Sequence, residues 1–153
     1  MIAQNRLSPA TEFGTTFVAT GDSFGALPVR PGSPFTGQVG MVPITSGGNV
    51  PGTRLQGVGF GHVHPKTGTP LQREGRIVGR ADGSKSSERD KNMTEPAKVP
   101  SFIFDGTKEL FKYDPILGKD VLLMDGKDLA DYLSRAQEAY SRQQQQKASA
   151  PPQ

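Results

Sequence analysis

The sequence predicts a mainly β fold with one C-terminal α-helix: a small β-rich body and a long extended N-terminal arm rich in glycine and proline. Three observations predict it. Chain breakers are concentrated, with 16 Gly and 10 Pro in residues 1–100 but 3 Gly and 1 Pro in residues 101–140. Large apolar residues run the other way, 24 in the first 100 against 16 in the next 40. Leu129, Tyr132, Leu133, Ala136 and Tyr140 then fall at the spacing of one helical face, which predicts a helix from about residue 127 to 145.

Residues 1–56 are the predicted arm. Ordering each residue costs about 1–2 kcal/mol of backbone entropy, and this part has little apolar bulk to offset it. Residues 1–50 carry only Arg6, Glu12, Asp22 and Arg30 as charged groups. That is unlike ordinary disorder, which is charge-rich. Phe13, Phe17, Phe24, Phe35 and Phe60 stand isolated among Gly, Pro, Thr and Ser. The pattern suggests an arm whose rings insert into pockets on another subunit while its backbone adds to a sheet edge. The competing arrangement is a loop-rich β domain whose phenylalanines share one internal core.

The body follows in order. Val39–Ile44 and Gly57–His64 read as strands, and Arg76–Arg80 as a short one, so 57–80 is a strand segment. Residues 81–98 contain no Phe, Leu, Ile or Val and read as a charged exposed loop. Residues 99–147 form the compact unit. Ser101–Phe104 meets Asp105-Gly106, a hairpin turn signal, then Lys108–Tyr113 as the return strand. Val121–Met124 is a third strand, and Asp125 or Asp128 caps the helix. Residues 148–153 are a tail.

"GVGFGHVHP", residues 57–65, holds both histidines. On a strand, Val58, Phe60, His62 and His64 share one face, with Gly57, Gly59, Gly61 and Val63 opposite. Two imidazoles on one face can hold a metal, but a third or fourth ligand is needed. Cupin-type sites add a Glu a few residues later, whereas the first acid after His64 is Glu74. The expectation is therefore a glycine-faced packing strand whose histidines make polar contacts, with no metal and no cofactor. A carboxylate arriving from elsewhere in the chain would change that.

Other chemistry is excluded more firmly. With no Cys there is no disulfide and no thiolate zinc site. Gly21-Asp22-Ser23-Phe24-Gly25 matches the nucleophile-elbow pattern, but Pro28 and Pro31 prevent the helix that must follow. No phosphate-loop motif occurs. The longest apolar runs are four residues, far short of the roughly 20 a transmembrane helix needs, and no secretion signal opens the chain. Arg73, Arg76 and Arg80 begin a basic stretch able to follow a phosphate backbone. It lacks aromatic stacking platforms, since no Phe or Tyr lies between Phe60 and Phe102.

The organisation resembles, in style alone, the small accessory proteins of virus particles, phage ones especially. The expectation is thus a non-enzymatic structural protein of a virion: a minor capsid, decoration or tail component in a multi-copy assembly, otherwise cytoplasmic. It would brace larger structural subunits, a major capsid protein among them. Phe13, Phe17, Phe24, Phe35 and Phe60, with Leu129, Tyr132, Leu133 and Tyr140, would make the partner contacts. A basic nucleic-acid-associated protein and a small metal-dependent enzyme using His62 and His64 are the alternatives.

Overall fold

The computed structural model describes residues 11–32, 40–106 and 108–149. Its elements are β1 (Glu12–Thr20), β2 (Ser23–Ala26), β3 (Arg30–Gly32), β4 (Gln56–His64), β5 (Pro70–Arg73), β6 (Arg76–Arg80), α1 (Glu88–Thr94), β7 (Ser101–Asp105), β8 (Glu109–Asp114), β9 (Lys119–Asp125) and α2 (Gly126–Ser149). The main sheet runs β2-β1-β4-β7-β8-β9, with β3 also paired to β1. β5 and β6 form a separate hairpin. The fold is mainly β with one long C-terminal helix, as the sequence predicts. Among the described residues no helix is long and apolar enough to cross a membrane.

β1 departs from the expected arm. It pairs antiparallel with β4 from Phe13↔Val63 to Ala19↔Gln56, and with β2 and β3 on its other edge. A strand with neighbours on both sides and buried Thr15, Thr16 and Val18 has little place for charge between Phe13 and Thr20. The low charge of this stretch therefore reflects an interior strand, and residues 12–32 do not reach away from the body. Phe17 meets Phe102 of β7 edge-on, with ring centroids 6.3 Å apart. Phe60 is fully buried beside Met41 and Ile44. Phe13 is half-buried, and Phe24, on β2, is exposed. Phe35 lies outside the described residues.

Residues 40–44 are not a strand, although Val39–Ile44 reads as one; Val39 itself lies outside the described residues. Met41 and Ile44 still enter the core. The Thr16 hydroxyl holds this segment, donating to the Val42 carbonyl at 2.7 Å and accepting from its N–H at 2.9 Å. One side chain thus does the work of a backbone ladder.

The glycine face of β4 is used as expected at Gly59. A Cβ there would meet the Pro100 carbonyl at 3.1 Å and the rings of Phe102 and Phe17 at 3.8 and 3.9 Å. The alternation breaks near Val58, which the register skips: Phe17 pairs with Gly59 but Val18 with Gly57. Gly57 consequently faces Ile44, a neighbour of Phe60, and a Cβ at Gly57 would overlap it.

One pairing sets the layout around the histidines. β4 and β7 run parallel, with Phe60↔Ser101 through His64↔Asp105 in register. Parallel neighbours cannot be joined by a tight turn and need a crossover. Residues 65–100 are that crossover, and they contain β5, β6 and α1. Met93, Ala97 and Val99 pack on the Met41–Ile44–Phe60 cluster, which seats α1 over the face of β4 that carries Phe60. The 81–98 stretch is thus not a simple exposed loop. Ser87 caps α1, its hydroxyl accepting from the Asp90 N–H while the Asp90 carboxylate accepts from the Ser87 N–H.

The 99–147 stretch contains β7, β8, β9 and α2, and β7 joins it to β4 in one continuous sheet. Leu129 is fully buried against this sheet rather than available to a partner. Leu133 is half-buried, and Tyr132 and Tyr140 are exposed.

If the N-terminal phenylalanines belong to the body, Phe60→Ala should lower unfolding free energy by about 3–5 kcal/mol. Phe24→Ala, at an exposed position, should change it by less than about 0.5 kcal/mol. Urea denaturation of the isolated chain measures both.

Candidate metal centre

His62 and His64 stand two residues apart on β4, so their rings project from the same face. Both are buried, and the ring centroids lie 4.7 Å apart. The acid missing from the following sequence comes from the crossover. Asp90, in the first turn of α1, places Oδ1 3.0 Å from His62 Nε2 and Oδ2 3.1 Å from His64 Nε2. The two Nε2 atoms are 2.9 Å apart. Among the described residues, these three form the one group placed to hold a metal ion.

Protons alone do not account for this triangle. Each Nε2 carries at most one proton. With Asp90 ionised, if both nitrogens donate to the carboxylate, the nitrogen–nitrogen contact has no acceptor. If either is unprotonated, its lone pair faces a carboxylate oxygen. A cation satisfies all three at once. Donors about 2.0–2.2 Å from a common zinc ion lie about 2.9 Å apart at right angles and about 3.4 Å apart at tetrahedral angles. The observed separations of 2.9–3.1 Å fall in this range.

Each donor is oriented differently. The Ser87 N–H donates to Asp90 Oδ2 at 2.7 Å, through the capping box. His64 Nδ1 lies 3.3 Å from the Gly83 carbonyl. Since a carbonyl only accepts, this contact is satisfied when Nδ1 carries a proton, and the neutral ring then has its Nε2 lone pair free for a cation held between it and Asp90. His62 Nδ1 is buried without a hydrogen-bond partner among the described residues.

A fourth group flanks the triangle. The pairs Phe13↔Val63 and Gly14↔His62 carry Glu12 to the level of His64, on the face shared by directly opposite residues. Gly14 permits close packing there, since a Cβ would lie 2.9 Å from Met41 Cγ and 3.3 Å from the His62 Cβ. Glu12 and His64 line the same cavity of about 210 Å³, with Leu71, Arg80, Gly83 and Ser87. Burial raises the Glu12 pKa, against the opposing charge of His64 and His62. Burial would also raise that of Asp90, but hydrogen bonds from both histidines, and their charge, hold it well below the usual carboxylate range. For His64, burial disfavours the cation, yet the hydrogen bond and charge of Asp90, the charge of Glu12 and the Gly83 carbonyl outweigh it and raise the pKa.

The other sequence-predicted residues are elsewhere. Arg73 and Arg76 face each other on the exposed β5–β6 hairpin. Arg80 also lies there, donates to the Gly68 carbonyl at 3.0 Å and reaches the cavity rim. Neither Asp90 nor Glu12 is singled out by reading forward from His64. The available signal for Asp90 was Ser87-x-x-Asp90, a capping-box spacing that starts a helix and turns the acid back toward its N-terminus. Comparison with known proteins adds no relative: no family model, no curated protein and no solved structure matches the chain.

The shifts give the site a pH signature. A depressed Asp90 pKa contributes stability above the ordinary aspartate value that is lost as pH falls. A raised His64 pKa contributes stability that is complete below about 6.5 and lost as pH rises through the raised value. The raised Glu12 pKa has the same sign, starting from its lower ordinary value. Chelator-treated protein should therefore lose stability as pH rises through neutrality. Zinc needs a neutral imidazole, so its stabilisation should grow over the same interval. Thermal melts from about pH 5.5 to 8.5, with zinc and with chelator, check this; a zinc effect flat across that interval contradicts it.

Proposed function

We propose that the chain is a metal-dependent hydrolase of acyl bonds, with His62, His64 and Asp90 as ligands and Glu12 as general base. The observation that carries this reading is the convergence of His62, His64 and Asp90, with His64 and Glu12 lining one cavity. Three protein ligands with space beside them are the arrangement of catalytic rather than structural zinc. A zinc ion held there would polarise a carbonyl and make water more acidic.

The residues do the rest. Glu12, made more basic than an exposed glutamate by burial, takes a proton from water as its oxygen bonds to the acyl carbon. It then passes that proton to the leaving nitrogen or oxygen as the acyl bond breaks. Asp90 stays ionised at working pH and balances the charge.

A second reading keeps the chain attached to larger structural subunits, those of a virion included. It is favoured by exposed Ile116, Leu117, Leu122, Leu123, Tyr132 and Tyr140, on the β8–β9 turn, β9 and α2. The two readings are compatible, because these residues lie on other elements than the site.

Zinc at about 100 times its Kd should stabilise the folded chain by about 2.7 kcal/mol. For a chain of this size that raises the melting temperature by about 5–10 °C. The rise should saturate at one ion per chain and vanish in His62→Ala and in Asp90→Ala. Glu12→Gln should keep the rise while lowering hydrolysis of a peptide, amide and ester panel by about 10²-fold or more. A rise that survives both ligand substitutions, or no saturable rise, overturns the metal reading.

A further inference from the structure

We infer that Asp105 is a positioning residue for His64, acting through Thr67 and Gly83 to fix which ring nitrogen faces the metal centre. The inference rests on the metal reading for its functional consequence, although its structural part stands alone.

Asp105 ends β7, directly opposite His64 in the parallel ladder, and is fully buried. It accepts two hydrogen bonds from one residue: the Thr67 N–H to Oδ1 at 2.7 Å and the Thr67 hydroxyl to Oδ2 at 2.7 Å. A hydroxyl has one proton, and Thr67 has given it to Asp105. Its oxygen is therefore left to accept, and it accepts the Gly83 N–H at 3.0 Å. The direction of each bond follows from the backbone, since the Thr67 and Gly83 N–H groups can only donate and the one hydroxyl proton is left for Asp105.

Gly83 completes the chain. Its N–H is held by Thr67, and its carbonyl faces His64 Nδ1 at 3.3 Å. The residue must be glycine for this approach. A Cβ would overlap the Asp105 carboxylate and the Pro65 carbonyl. Gly83 is thus pressed between the end of β7 and the segment leaving β4, with its carbonyl aimed at the imidazole. The Gly106 N–H bonds the His64 carbonyl at 3.1 Å, fixing the backbone of His64 to the same turn.

Chemically, the network sets a tautomer. With a cation between Nε2 and Asp90, a pure acceptor at Nδ1 lets the neutral ring hold its proton there and present the Nε2 lone pair to the metal. Without it, the proton can move to Nε2 and hydrogen-bond Asp90, which removes a donor from the metal. Among the described residues, His62 has no such support at its Nδ1. The burden of fixing the ligand set falls on His64, and through it on Asp105.

The test uses the full-length chain, with Thr67→Val to delete the hydroxyl and Thr67→Ser to restore it. Proton–nitrogen correlations of the His64 ring are recorded with chelator, at a pH acid enough to keep the imidazole protonated, so that Nε2–H donates to Asp90 and Nδ1–H to Gly83. Wild type and Thr67→Ser should show an Nδ1–H signal shifted downfield and slowed in exchange by the Gly83 carbonyl, and Thr67→Val should lose both features. Cobalt(II) titrations, followed by visible absorption, should show affinity about 10–100-fold weaker in Thr67→Val and close to wild type in Thr67→Ser. Folded Asp105→Asn should match Thr67→Val in both readouts. A wild-type Nδ1–H signal and wild-type affinity in Thr67→Val overturn the inference, as does a folded Asp105→Asn with the wild-type Nδ1–H signal. If wild-type protein binds no cobalt, the metal reading fails, and the Nδ1–H measurement decides the role of Asp105 by itself.

Discussion

Asp90 is a carboxylate taken out of water, and much of the middle of the chain is arranged around it. Burying an ionised carboxylate costs several kcal/mol unless partners replace its hydration. Three do so here: the Ser87 N–H, His62 and His64. The helix that carries Asp90 has seven residues, too few to be stable alone. It is held by the capping box at one end and by Met93 on the Phe60 cluster further along. Helix, carboxylate and histidines are therefore mutually dependent. A buried acid with two imidazoles is also an arrangement that a divalent cation completes, so one interaction links stability to chemistry.

The parallel β4–β7 pair makes this meeting possible. Its crossover must return over one face of the sheet, and the histidines lie on that face near the end of β4. The same pairing sets Asp105 beside His64, so the end of β7 supports the ring from behind while α1 approaches it from above. β1 supplies Glu12 from the opposite edge of β4. Residues from four parts of the chain, about residues 12, 62–64, 83–90 and 105, converge because β4 is a central strand. The β5–β6 hairpin belongs to neither the main sheet nor the triangle, although Leu71 and Arg80 reach the rim of the cavity.

Local patterns were legible where local physics decides the outcome. The α2 helix, the Asp105-Gly106 turn, β4 and β6 follow from periodicity and turn chemistry within short windows, although of the α2 face only Leu129 is buried. Non-local pairing was not legible. Low charge and scattered phenylalanines suit an arm and an interior strand equally well, and only the partners of β1 separate them. Residues 81–98 resemble a loop because Ser, Asp, Lys and Glu dominate. Their order mattered more than their composition, since Ser87 and Asp90 at the capping-box spacing start a helix. The His-x-His pair was visible, but its acids lie 26 residues later and about 50 earlier, with nothing in the intervening sequence to point to them. The tertiary fold alone brings them together.

The central claim is that His62, His64 and Asp90 bind one divalent ion together. X-ray absorption on the zinc-loaded chain tests it most directly, because imidazole rings leave a distinctive outer-shell scattering pattern. The account predicts one zinc per chain, two imidazole nitrogens at about 2.0–2.1 Å and oxygen in the remaining positions. An all-oxygen shell without imidazole scattering would contradict it, and so would a spectrum unchanged when both histidines are replaced.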